Sequence, residues 1–127
     1  MVGRVFEGHL NGLLLIQQLG TPAQVERYTA DARTGLLFGV WNTEGPATGG
    51  PLEALPSGRY QLLGTKTFAS GASHLARPLT TGTLPNRQGW QLFVLPAERQ
   101  PPGLDRSFWR PLGMRATASF QADLTGL

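Results

Sequence analysis

The chain has 127 residues, a formal net charge of +3 and 40% apolar residues, which is enough for one domain with a substantial core. The absence of cysteine excludes a disulfide framework and any thiolate chemistry or thiolate metal ligation. Met1–Arg4 has no basic leader character, and the apolar run Leu13–Ile16 is cut short by Gln17 and Gln18. A cytoplasmic origin is therefore expected, with no signal peptide and no membrane partner.

Seventeen glycines and ten prolines suit many short strands and turns better than long helices. Val5–Leu10 and Leu13–Gln18 flank Asn11-Gly12, a type I′ turn pair, and predict a first hairpin. Gly20-Thr21-Pro22 breaks the chain. Gln24–Thr43 then reads as a central hairpin, with its turn in Asp31–Gly35 and a second strand, Leu36–Asn42, apolar on both faces. Such a strand belongs between two covering layers. Glu44–Ser57 is a breaker-rich loop, and Tyr60–Thr65 and Gly89–Leu95 are further strands. Phe68–Arg87 gives no clear period, and Pro96–Gly103 is a second loop. Met114–Asp123 alternates apolar and polar residues along its whole length, the pattern of a half-buried antiparallel strand. The sum is an all-β domain over residues 1–127. It is expected to be a small antiparallel β-barrel or β-sandwich of about seven strands with long Gly/Pro-rich loops.

Motifs for catalysis are missing. His9 and His74 are far apart, no serine sits in a G-x-S-x-G setting, and no phosphate-cradling glycine motif occurs. Glu44 and Glu53 are read as solvated loop carboxylates. No catalytic residue, metal site or cofactor is expected.

Charge is uneven. Residues 1–76 balance, whereas residues 77–115 hold six arginines against Glu98 and Asp105. Ten of the eleven basic residues are arginine; a GC-rich genome is the bland explanation, and bidentate anion contacts the sharper one. Within this segment Arg106, Phe108, Trp109 and Arg110, with Arg99 nearby, form the candidate binding surface. Interleaved aromatics and arginines anchor protein interfaces or stack nucleobases. On an exposed strand Arg106, Phe108 and Arg110 would share one face, and Trp109 would turn inward.

Arg27-Tyr28-Thr29 with Gly35 and Phe38 resembles the first hairpin of bacterial single-stranded-DNA-binding OB-folds. Pro22 stands too far upstream of Arg27 for that pattern, and the turn glycine comes too late. Thr34–Val40 with Gly89–Val94 is similar to avidin strands, without the biotin-contact pattern. Neither resemblance extends along the chain. The leading expectation is a non-catalytic component of a larger protein assembly: a phage capsid decoration, head-completion or tail protein, working as a homo-oligomer or assembly subunit. The alternatives are an OB-like barrel binding single-stranded nucleic acid, and a barrel that binds a small molecule or acts as a lyase.

Overall fold

A computed structural model describes residues 2–44, 51–85, 89–96 and 103–127. Two helices, α1 (Val2–Leu19) and α2 (Pro22–Arg33), come first. Eight strands follow: β1 (Phe38–Trp41), β2 (Leu52–Ala54), β3 (Tyr60–Leu62), β4 (Thr65–Ala69), β5 (Arg77–Thr83), β6 (Trp90–Val94), β7 (Gly103–Asp105) and β8 (Phe120–Asp123). The β-rich character expected from composition is present. A closed barrel is not seen: among the described residues the strands form three open sheets, in the orders β1-β5-β6, β2-β3 and β4-β8-β7. β1 runs parallel to β5, and the other strand pairs are antiparallel.

The first expected hairpin is helix α1 instead, and the first strand of the expected central hairpin is helix α2, while its second strand is β1. Asn11-Gly12 lies inside α1, where glycine serves close packing rather than a turn. A Cβ on Gly12 would stand 3.1 Å from Phe38 Cβ, and one on Gly8 3.7 Å from Gly39 Cα. One helical turn apart, these two glycines let α1 lie directly on β1. His9, between them, accepts a hydrogen bond at Nδ1 from the Phe38 backbone N–H (3.2 Å). The outer face of α1 exposes Val2, Phe6, Leu10 and Leu14 at i, i+4 spacing. Apolar residues on two faces of one helix imitate the runs of a buried strand.

The start of α2 is a capping box. Thr21 Oγ1 accepts from Gln24 N–H (3.3 Å), Gln24 Oε1 accepts from Thr21 N–H (2.8 Å), and Pro22 occupies the first helical turn. At the other end Gly35 has φ +90°, as its place in a turn required, but it follows a helix. Asp31 holds α2 to the sheet: its Oδ2 accepts from Arg77 Nε and Nη2, each at 2.8 Å, beneath the Tyr28 ring.

β1 is covered on both sides, as its sequence implied. Phe38 packs with Ile16 and Leu79 under the helices. Trp41 belongs to the second core, which draws Leu52, Leu62, Ala69 and Ala122 from the other two sheets. The expected single strand Met114–Asp123 is broken: Arg115–Thr117 is a 3-10 turn and Ala118 has φ +46°, so only Phe120–Asp123 pairs as β8.

Candidate functional site

The most unusual backbone lies where β4 meets β8. The two strands change register between Lys66 and Ala69, and Phe68, inside that bulge, has φ +53°. A left-handed conformation at a non-glycine residue costs about 1–3 kcal/mol and persists only where the surroundings enforce it. The strain turns the Phe68 ring outward, where it is 51% exposed. Across the bulge stands Ala118, the second non-glycine residue of positive φ among the described residues. The Gly71 N–H donates to Thr117 O (2.8 Å), tying the two irregular segments together.

Between them runs a chain of hydroxyls. Ser70 Oγ and Ser119 Oγ are 2.8 Å apart, Ser119 Oγ and Thr117 Oγ1 3.0 Å, and Thr117 Oγ1 donates to Met114 O at 2.9 Å. Each hydroxyl has one proton. Because Thr117 gives its proton to the carbonyl, Ser119 donates to Thr117 and Ser70 donates to Ser119. Ser70, half-buried at the mouth, is left with lone pairs that accept. The alternative contact of Ser70 Oγ with Phe68 O is longer, 3.4 Å, and would leave one of the short contacts without a proton. Trp41 supports the same turn from the core, its Nε1–H donating to Ser70 O (3.2 Å).

Ser70 also lines a small cleft of about 80 Å³ between α1 and β1, together with Arg4, Glu7, Asn11 and Val40. Arg4 Nη1 pairs with Glu7 Oε2 at 2.7 Å on the exposed side of the helix.

The binding residues expected from sequence fall in part beside this site. Residues 106–110 form a turn rather than a strand, because Asp105 Oδ1 accepts from the Ser107 N–H (2.8 Å) and the Ser107 hydroxyl (2.6 Å). The turn brings Phe108 and Trp109 to the same side, both half-buried and edge-on to Phe68, with ring centroids at 5.5 and 6.0 Å. Trp109 Nε1–H donates to Met114 O (3.0 Å), the carbonyl that ends the hydroxyl chain. The arginines do not join them in a shared face: Arg106 lies over the Phe120 ring at 5.6 Å, and Arg110 Nε donates to Ser107 O (3.1 Å). Arg99, Gly49-Gly50 and Pro101-Pro102 lie outside the described residues. Sequence reading missed Phe68, Ser70 and Ser119. Their signal, a left-handed phenylalanine, has no sequence signature.

The Asp105 carboxyl is held below its ordinary value of 3.8, first by the Ser107 hydroxyl, then by backbone N–H groups and the Arg110 charge. A carboxyl with a lowered folded-state value stabilises the turn fully above the ordinary value and loses that contribution as pH falls through the folded one. The tryptophan fluorescence is therefore expected to show an acid step below about pH 3.8 that Asp105→Asn abolishes. An identical acid profile in the variant would exclude this role.

No protein-family model matches the chain, and no curated protein matches it. Solved structures do. FMN-bound TdsC from Paenibacillus sp. A11-2, a dibenzothiophene monooxygenase, superposes with a TM-score of 0.82 at 24% identity, over 99% of this chain and 34% of its own. This chain shares its fold. Methanesulfinate monooxygenase MsuC from Pseudomonas fluorescens matches with a TM-score of 0.79 at 23% identity, over 99% and 32% of the two chains. XiaF from Streptomyces sp., solved with FADH2 and glycerol, gives 0.66 at 22% identity, over 92% and 28%. The chain thus spans about a third of the length of the proteins it matches.

These likenesses overturn the expected non-catalytic virion component and, with it, the expectation that the fold is not an enzyme's. The barrel on which both alternatives, nucleic-acid and small-molecule, were built is not shown among the described residues, whose sheets are open.

Proposed function

We propose that this chain is the flavin-binding β-rich portion of a flavin-dependent monooxygenase. The observation that carries the reading is the Phe68 turn, a strained, outward-facing aromatic ring beside a hydroxyl of fixed polarity. The likeness of nearly the whole chain to FMN-bound TdsC supports it. It departs from the expectation that no cofactor is used.

The donor set suits the group. A flavin ring is flat and largely apolar on its faces, with hydrogen-bonding atoms at its edge. Phe68 offers a ring for contact, and Ser70 offers an acceptor whose own proton is committed to Ser119. When bound, the flavin supplies the electrons and the reaction with dioxygen. The chain's residues bind and orient. Phe108 and Trp109 pack perpendicular to Phe68 and steady its ring, and Trp41 fixes the Ser70 carbonyl. The small α1–β1 cleft adjoins Ser70. Reduced flavin carries an additional ring N–H, the kind of donor that Ser70 accepts, so the reduced form is favoured.

Titration of the purified chain with oxidised FMN, and anaerobically with reduced FMN, tests this. Saturable one-to-one binding is expected, tighter for the reduced form. Phe68→Ala should weaken both about tenfold or more, the usual effect of removing a stacking aromatic. Ser70→Ala should remove the preference for the reduced form. Failure of both forms to saturate overturns the reading.

A further inference from the structure

We infer that Lys66 is a positioning residue that holds the Phe68–Ser70 turn in its strained geometry from the side opposite β8. Its consequence for cofactor binding rests on the flavin reading; its consequence for the turn does not.

Lys66 lies on β4, two residues before Phe68, and is only 1% exposed. A buried ammonium without a counterion is strongly unfavourable, so its partner is structurally dictated. That partner is Glu44, whose Oε1 accepts from Lys66 Nζ at 2.5 Å. Thr81 Oγ1 on β5 is 3.5 Å from the same Nζ, and the Thr81 hydroxyl in turn donates to Asn42 Oδ1. The backbone follows the side chains. Thr67 N–H donates to Thr43 O (2.9 Å), and the Thr67 hydroxyl donates to Glu44 O (3.2 Å).

The location gives these contacts their significance. β4 loses its register with β8 between Lys66 and Ala69, so Thr67 and Phe68 have no ladder partner on that side. On the other side Thr67 is held by Thr43 and Glu44, just beyond β1, and Lys66 is bridged to Glu44. The ammonium fastens that segment to both β4 and β5. Loss of the pair frees Glu44, whose side chain is 41% exposed and takes up water readily. The strained turn then has less to oppose its relaxation.

The test uses Lys66→Met, which keeps the buried stem and removes the charge, and Glu44→Gln, which keeps an acceptor. In the ligand-free protein, Lys66→Met is expected to shift the amide resonances of Thr67–Ser70 and to speed exchange of the Thr67 amide. It should also weaken FMN binding about tenfold, as small displacements of a binding group do. Glu44→Gln should move the same resonances less, and the two changes should be non-additive when combined. Wild-type resonances at Thr67–Ser70 in Lys66→Met overturn the inference, whether or not FMN binds. Absence of FMN binding by the unaltered chain overturns the flavin reading instead and leaves the resonance comparison to decide the role of Lys66. If the Met variant fails to fold, the resonances in Glu44→Gln decide, and unchanged ones overturn the inference.

Discussion

Replacement of Trp41 by alanine is expected to lower the unfolding free energy by about 3–5 kcal/mol, the range for removing a large aromatic side chain from a core. Trp41 is almost wholly buried in a core that draws residues from all three sheets. Its backbone carbonyl accepts from the Thr80 hydroxyl at 2.9 Å, so the strand itself stays anchored to β5. The loss is therefore one of packing, together with the indole hydrogen bond to Ser70 O. Trp41→Phe separates the two contributions. It keeps most of the apolar surface but leaves that carbonyl without its donor, at a cost of about 1–3 kcal/mol. Denaturant unfolding measures both. A loss below about 1 kcal/mol for Trp41→Ala, outside the usual range for such sites, would mean that the two-sided core around β1 is wrongly drawn.

Asp31→Ala is expected to cost more than Arg77→Met, although each breaks the same ion pair. Removing Asp31 strands the Arg77 guanidinium, which is nearly fully buried and has both donors committed to one carboxylate oxygen. An uncompensated buried charge costs about 3–5 kcal/mol. Asp31 is more exposed, at 22% of its side chain, so once Arg77 is gone it can rehydrate. The expected order is a loss of about 3 kcal/mol or more for Asp31→Ala and about half of that or less for Arg77→Met, whose stem still fills the site. Equal losses in urea unfolding would show that the guanidinium finds water in the folded state.

The strand content was legible because strands announce themselves by alternation and by glycine. β1 and β6 lie where their apolar residues placed them. The helices were misread for separable reasons. Thr21-Pro22-Ala23-Gln24 is a capping box written in the sequence, and its competitor, the turn signal at Asp31–Gly35, was real but belonged to a helix end. In α1, Gly12 had the chemistry of a hairpin turn, and only the close approach of β1 explains it. Long-range packing of that kind leaves no local trace. The site was less legible still. Phe108 and Trp109 stood out by composition and do sit against the strained turn, because Asp105 folds their segment back. Phe68 looks like any strand residue until the register shift turns it outward, and Ser70 acquires its polarity from Thr117 and Met114, more than forty positions away.

Flavin binding at the Phe68–Ser70 turn is tested most directly by mapping amide chemical-shift changes as reduced FMN is added anaerobically to the isotope-labelled chain. The largest changes are expected at Phe68–Ser70 and Ala118–Ser119, with the outer face of α1 at Phe6 and Leu10 unmoved. Changes concentrated elsewhere, or none at saturating FMN, would contradict the assignment.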